Sequence, residues 1–539
     1  MSEAEHQYGG GGGGGIWLLA LTFVMVGALV FLMNRDSGGA ENPTASSGST
    51  GNGVVPSKEK EGGSKMLIVY CAAGVKQAVE EAAGKFTRET GVKVALEYAS
   101  SGVLFNKLLQ DHQAQRPRAD VYVAADFSFA ERARSEGLVA EALKVATWKV
   151  VLGVKPGSGL ELKSAGDVLK ERVSFVLCDP LAGVGKKTKK MLEKSGHWAG
   201  IDAAKGASFP TVTEAALAAK ENAGTQAAFV WDSTARQFGL RVVELPELEA
   251  SRADITASVT RTTEKATLSL QFVRFLSAPE KGGDVFESHH YTPMPGDAWA
   301  VRPKLRIDCG GVNREAVEKT IREFATREGC DIDVVYAGCG TLVSKMKTGD
   351  VGLPDLFMTC DATYLDKVQL DMGNPFGPDL KVSSTRIVML VSKGNPEGLK
   401  KLADLARPGL RIGVTEPTAS TLGMLCVELF REAGQYDAIK KNIDEVGVRT
   451  DTAHTLIQSM EAGGKLDVAL VYEANIQHLR DRFDYVALQP ARAMAIQNVA
   501  ARKTTPYPQL ADRLMAALTS GDSRRRFEQL GFSWKASAE

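Results

Sequence analysis

The residues able to do chemistry in this 539-residue chain lie at turns, not in catalytic sets. Three runs of small and polar residues each lead from an apolar stretch into a helical pattern: Ala72-Ala73-Gly74, Ser100-Ser101-Gly102 and Asp179-Pro180-Leu181-Ala182-Gly183. Small residues let a ligand approach the backbone, and helix N-termini offer unpaired N–H groups at the positive end of a dipole. Such turns suit an oxyanion held by neutral donors. Any strand-to-helix turn of an α/β protein looks similar, so the signal is that three occur in order, twice. Lys186 and Lys187 follow the third turn, where cations oppose the helix dipole unless an anion is near or the lysines are simply solvated. HExxH, GxSxG and GxxxxGK[ST] are absent. The pair His289-His290 reads as a metal ligand pair or, more simply, as the cap of the preceding helix. Cys309, Cys339 and Cys360 each end an expected strand of one sheet, and so either converge as a thiol or metal site or serve as small buried residues. Trp231 and Tyr472 close corresponding strands, with a polar tip toward a cleft or packed away. The expectation is a binding protein with no enzymatic activity, cofactor or metal.

The elements that position these residues occur twice. LIVYCAAGVKQAV from Leu67 matches LRIDCGGVNREAV from Leu305, with Cys71 on Cys309. At the same offset Tyr98 falls on Tyr336; ADVYVAADFSF from Ala119 matches PDLFMTCDATY from Pro354, with Asp120 on Asp355 and Asp126 on Asp361. CDPLAGVGKKTKKML from Cys178 matches TEPTASTLGMLCVELF from Thr415, and AAFVWDSTA from Ala227 matches VALVYEANI from Val468. A repeat of this length is a duplicated domain and not a solenoid unit. Within each copy, short apolar runs such as LIVYC, VKVALEY and AAFVW alternate with helical patterns. In one of these Val75, Val79, Ala82, Ala83 and Phe86 recur at helical spacing before Gly91. The alternation predicts an α/β fold with largely parallel, buried strands and ligands at the strand ends.

Charge and composition narrow the partners. Lys+Arg and Asp+Glu are both 65, so no electrostatic footprint for nucleic acid is present. Seven cysteines without CxxC fit neither a disulfide scaffold nor a zinc module. Residues 1–15 are polar and Gly-rich, and Ile16 to Met33 is an uncharged apolar run near the length of a membrane-crossing helix. No basic n-region and no clear cleavage site accompany it, so an uncleaved anchor is expected over 16–33. Residues 34–65 form a Gly/Ser-rich tether. Arg35 weakly favours an inside location for the bulk of the chain.

Each copy resembles a periplasmic solute-binding protein of the molybdate-binding type, the receptor of an ABC importer. The likeness rests on YCAAGVKQAV, YASSGVLFNKL, ADVYVAADFSFAERARSEGLV, CDPLAGVGKKTKKML and AAFVWDSTA, and on the paired C-terminal helices of both copies. It implies two tandem bilobal periplasmic-binding-protein-like domains, 66–300 and 301–539, which follow the N-terminal transmembrane helix expected over 16–33. It also implies an oxyanion ligand, an ABC permease and ATPase as partners, and an extracytoplasmic location, against the Arg35 signal. Carried over by position, the ligand contacts fall at Gly74, Ser100, Ser101, Ala182, Gly183, Val184, Thr213 and Trp231 in the first copy. In the second they fall at Val312, Cys339, Ser420, Thr421, Thr452 and Tyr472. Both first-turn serines of the family are replaced, and the tyrosine survives only in the second copy. The expectation is that the first copy, with Ser100 and Ser101, keeps the anion and that Ser101 donates to it. The competing reading is a sensory or scaffold protein with degenerate clefts.

Overall fold

The computed structural model describes residues 66–180, 182–349, 352–463, 465–489 and 493–535. The expected N-terminal segment, anchor and tether (1–15, 16–33 and 34–65) lie outside these residues. No helix among the described residues is long and apolar enough to cross a membrane.

The first copy supplies strands β1 (Met66–Ala72), β2 (Lys93–Ala99), β3 (Val121–Ala124), β4 (Val139–Trp148), β5 (Val150–Val154), β6 (Phe175–Cys178), β7 (Ala207–Phe209), β8 (Ala227–Trp231), β9 (Arg241–Val243), β10 (Ala253–Thr260) and β11 (Thr292–Pro293). They form one sheet of order β11-β4-β10-β3-β1-β2 and another of order β7-β6-β8-β5-β9. The chain thus passes from one lobe to the other at Lys149, between β4 and β5, and returns before β10. The second copy supplies β12 (Lys304–Gly310), β13 (Asp331–Ala337), β14 (Leu356–Met358), β15 (Leu380–Ser392), β16 (Ile412–Thr415), β17 (Val448–Thr450), β18 (Val468–Tyr472), β19 (Phe483–Ala487), β20 (Met494–Ala501) and β21 (Ser533–Trp534). Its order repeats the first, except that the 13-residue β15 does the work of β4 and β5 and joins both lobes into one ten-stranded sheet.

The expectation of largely parallel sheets is corrected. β1 pairs parallel with β2 and β3, but β10 runs antiparallel to β3 and β4, and β5 antiparallel to β8 and β9. The strands that cross between lobes must run against those that start each lobe. Both kinds are buried on two faces and read alike as apolar runs.

The first helix of each copy shows how local pattern sets the fold. Lys76–Thr90 buries Ala78, Val79, Ala82, Ala83 and Phe86 on one stripe and ends at Gly91 with φ 74°. Arg314–Glu328 repeats the plan and ends at Gly329 with φ 64°. A left-handed residue at that position closes the helix and suits glycine. Asp120 and Asp355 then lock equivalent strands, accepting from the Ile68 and Arg306 backbone N–H groups, both at 2.9 Å.

The copies are fastened to each other. Glu328, 2% exposed, receives Arg513 at 2.7 Å from its own copy and Arg274 at 3.3 Å from the first. Arg327 forks onto Glu141 at 2.6 and 2.9 Å. Asp297 accepts the Gln509 and Leu510 N–H groups at 2.7 and 3.1 Å, at the start of the helix Pro508–Leu518.

Candidate oxyanion clefts

In the first copy the turn after β1 brings Gly74 against an aromatic wall. A Cβ on Gly74 would lie 2.9 Å from the Trp148 ring. Trp148 and Trp231 stack with centroids 4.3 Å apart and planes 8° off parallel, and are only 3% and 5% exposed. Trp148 also donates to the Ala125 carbonyl at 3.0 Å, and Tyr291 donates to the Gly74 carbonyl at 2.8 Å. The Trp148 indole, backed by that of Trp231, therefore occupies the space beside the first turn.

The serines of this copy are committed locally. Ser100 caps the helix Ser101–Gln113 by accepting from Val103 N–H, and the Ser101 hydroxyl oxygen accepts from Ala125 N–H at 3.1 Å. Ala182 is the N-cap of the helix Gly183–Lys194, with Val184 buried behind it. Thr213 lies in the first turn of Val212–Glu221, which is capped by Thr211 and Glu214. Lys187, on the lobe of β6, pairs with Asp126 of the other lobe at 2.9 Å and donates to the Arg252 carbonyl at 3.1 Å. That ion pair and the Ser128 N–H hold the Asp126 carboxyl below its usual range against the opposing effect of burial. His289 pairs with Glu81 at 2.9 Å.

The second copy is built differently at the same positions. Val150 pairs with Trp231, and Ile387 pairs with Tyr472. Two residues earlier in the chain stand Trp148, the last residue of β4, and Thr385, within β15. The first copy carries an indole where the second carries a threonine, and the second copy holds a cavity of about 460 Å³. It is lined by Val312, Tyr336, Cys360, Ser420, Thr452 and Tyr472, with Arg314, Glu315, Asp451 and His454 also contributing to the wall. Tyr472 is 3% exposed, and its hydroxyl has no hydrogen-bond partner. Burial raises the phenol well above its usual value, so it stays a neutral donor. Thr421 is 1% exposed; its hydroxyl lies near Cys339, Cys360 and Tyr364 without a hydrogen bond of full geometry. It opens the helix Thr421–Glu432, with Ser420 at the N-cap. Thr452 caps the helix Ala453–Glu461.

The two lobes of the second copy meet beside this cavity. Thr341 N–H donates across to the Ala419 carbonyl at 3.3 Å. The approach requires glycine: a Cβ on Gly338 would lie 2.3 Å from the Ala419 oxygen, and one on Gly340 would lie 2.4 Å from the Thr418 oxygen. Gly338 stands where the first copy has Ser100, so this substitution trades a side-chain donor for close backbone approach.

Of the three cysteines singled out, Cys339 and Cys360 come together, with sulfurs 2.9 Å apart. Cys339 begins a helix and does not end a strand, and Cys309 points its thiol to the Gly310 carbonyl. Among the described residues no group of three or more His, Cys, Asp or Glu could hold a metal ion. Sequence reasoning missed Trp148, Thr385 and Gly338. Only the strand register gives the first two away, and Gly338 was visible as the residue replacing Ser100.

Comparison with known proteins follows the same division. The molybdate-binding protein ModA of Mycobacterium tuberculosis is 26% identical over 212 residues, 39% of this chain and 76% of that protein. A putative binding protein of Haemophilus influenzae is 24% identical over 230 residues, 42% of this chain and 90% of its own. Among solved structures, the Azotobacter vinelandii periplasmic molybdate-binding protein aligns at TM-score 0.35 and 19% identity, covering 42% of this chain and 99% of its own. Peb3 from Campylobacter jejuni aligns at TM-score 0.34 and 17% identity over 42% of this chain and 99% of its own. The family match itself is double, over residues 67–292 and again over 305–533, and the chain belongs to the bacterial extracellular solute-binding proteins, as a tandem member.

Proposed function

We propose that this protein is a tandem receptor of an ABC importer in which the second cleft captures a molybdate-like oxyanion, while the first is a closed scaffold. The carrying observation is the cavity of about 460 Å³ lined by Tyr472, whose buried hydroxyl has no hydrogen-bond partner. A buried polar group without a partner is costly, and an anionic oxygen would satisfy it. Helix N-termini at Cys339 and Thr421 supply further N–H donors from both lobes. Donors of this kind bind an anion without a full counter-charge. The named relatives add molybdate as the first ligand to try.

This reading moves the binding site from the first copy, where the serines suggested it, to the second. The stacked indoles favour a scaffold role for the first copy, so this reading keeps the scaffold alternative for that half of the molecule. Membrane attachment through 16–33, an extracytoplasmic location, the domain bounds 66–300 and 301–539, and the permease and ATPase partners belong to the same proposal.

Calorimetry on the full chain with molybdate, tungstate, sulfate and phosphate tests it. The expected result is one site per chain, weakened by changes at Tyr472 and Thr421 and indifferent to Ser100. Two sites, or one whose affinity is unchanged by the Tyr472 change and lost with Ser101, would overturn it.

A further inference from the structure

Cys339 and Cys360 replace Ser101 and Ala125 of the first copy, and the backbone bond between the two positions is kept. In the first copy Ala125 N–H donates to the Ser101 oxygen at 3.1 Å; in the second Cys360 N–H donates to the Cys339 sulfur at 3.0 Å. What the second copy adds is a second thiol, aimed at the first. The space is made by Gly310, where any Cβ would lie 2.4 Å from the Cys360 sulfur and 3.0 Å from that of Cys339. Both thiols are buried, and Cys360 lines the cavity, the side from which a small-molecule oxidant would reach it.

We propose that Cys339 and Cys360 are a disulfide-forming pair that staples the two binding turns of the lobe formed by β12, β13 and β14. The sulfurs stand 2.9 Å apart, against about 2.05 Å in a disulfide, so side-chain rotation of under an ångström closes the bond. Cys339 keeps its proton and donates it to Cys360, which lowers the Cys360 thiol and makes it the nucleophile. With a small-molecule disulfide as oxidant, the Cys360 thiolate attacks one sulfur and expels a thiolate. Cys339, deprotonated by that leaving group, then attacks the Cys360 sulfur and expels the second. The net change is two protein thiols and one external disulfide converted to one protein disulfide and two external thiols.

The link would join the first residue of the helix Cys339–Thr348 to the residue two places beyond β14, across a loop that borders the cavity. Fixing both turns in their bound arrangement reduces the ordering cost of capturing a ligand. The oxidised protein therefore binds its anion more tightly and melts higher than the reduced one. The affinity effect rests on the oxyanion reading above; the pairing and the melting effect do not.

The test uses the native full chain incubated with glutathione disulfide, then alkylated after denaturation. Two of the seven cysteines should be protected, and peptide mapping should join 339 to 360. The melting temperature should rise on oxidation and return with dithiothreitol, with no such change in the Cys339→Ser/Cys360→Ala protein. That variant restores the residue pair of the first copy, so it is expected to fold. Molybdate affinity should fall about tenfold on reduction. All seven thiols still free after oxidation, or a melting shift that persists in the double variant, would overturn the pairing. Joined cysteines with unchanged affinity would overturn the staple's role in binding. Joined cysteines with no anion bound in either state would instead overturn the oxyanion reading and leave the pair standing.

Discussion

Tyr472 and Ser101 occupy comparable strand ends and turns but face opposite situations. Tyr472 has no partner, so Tyr472→Phe removes a donor that only a ligand would use. Calorimetry should show molybdate binding weakened about tenfold to a hundredfold, the range for a hydrogen bond to a charged group at about 1.5–3 kcal/mol. The melting temperature of the ligand-free protein should hold or rise slightly. Ser101 is already bonded to Ala125 N–H, so Ser101→Ala strands that half-buried donor. It should cost about 1–3 kcal/mol in chemical denaturation and leave anion affinity unchanged. A loss of affinity in Ser101→Ala would return the site to the first copy. The positions of both residues were legible in the sequence, because the repeat aligns them with the family's turns. Their roles were not, since counting serines favours the first copy while the open volume depends on Trp148. A tryptophan at the end of an apolar strand reads as ordinary core, and nothing local reveals that its ring lies over Gly74.

Strands and helices were largely legible from apolar spacing, as the Phe86 stripe and its Gly91 stop illustrate. Strand direction was not, because a crossing strand such as β10 carries the same buried pattern as β1. The crossing elements also separate the mechanics of the two copies. In the first, β4 and β5 are distinct strands on either side of Lys149, and the lobes are held by the indole stack and the Asp126–Lys187 pair. Trp148→Ala should cost about 3–5 kcal/mol, the range for emptying a buried aromatic site, as measured by denaturant unfolding. In the second, the lobes meet through backbone at Gly338 and Gly340. The Ala419 oxygen cannot yield to a Cβ at 2.3 Å, so Gly338→Ala should prop the lobes apart. Small-angle scattering should report a more open molecule, and molybdate affinity should drop at least about tenfold. Unchanged affinity would mean that closure on this side is unnecessary for capture.

At the scale of the whole molecule the two copies behave as one folded body joined through buried charge. Glu328→Ala would leave Arg274 and Arg513 without their carboxylate, and breaking a buried pair in this way costs about 3–5 kcal/mol. Asp297 makes the junction sensitive to pH. Burial pushes its carboxyl up to about 6, against the opposing pull of Arg513 and the Gln509 and Leu510 N–H groups. Because the folded value lies above that of an unfolded aspartate, about 3.9, the protonated form is the one that folding favours. The resulting stability is fully present below about pH 4 and is lost as pH rises through about 6, a change of about 3 kcal/mol. Urea midpoints compared at pH 4.5 and 7 should show this trend in the native protein and a flatter one in Asp297→Asn. The same junction bears on descent. Losing the second copy would strip the Glu328 carboxylate from Arg274; losing the first would uncover Glu328 and deprive the helix Pro508–Leu518 of its capping aspartate. A duplication welded in this manner acts as a ratchet against deletion. Redundancy between the copies can then be resolved only by point substitutions inside one of them, and under the proposed function an indole placed over a glycine is such a route to retiring a receptor without discarding its fold.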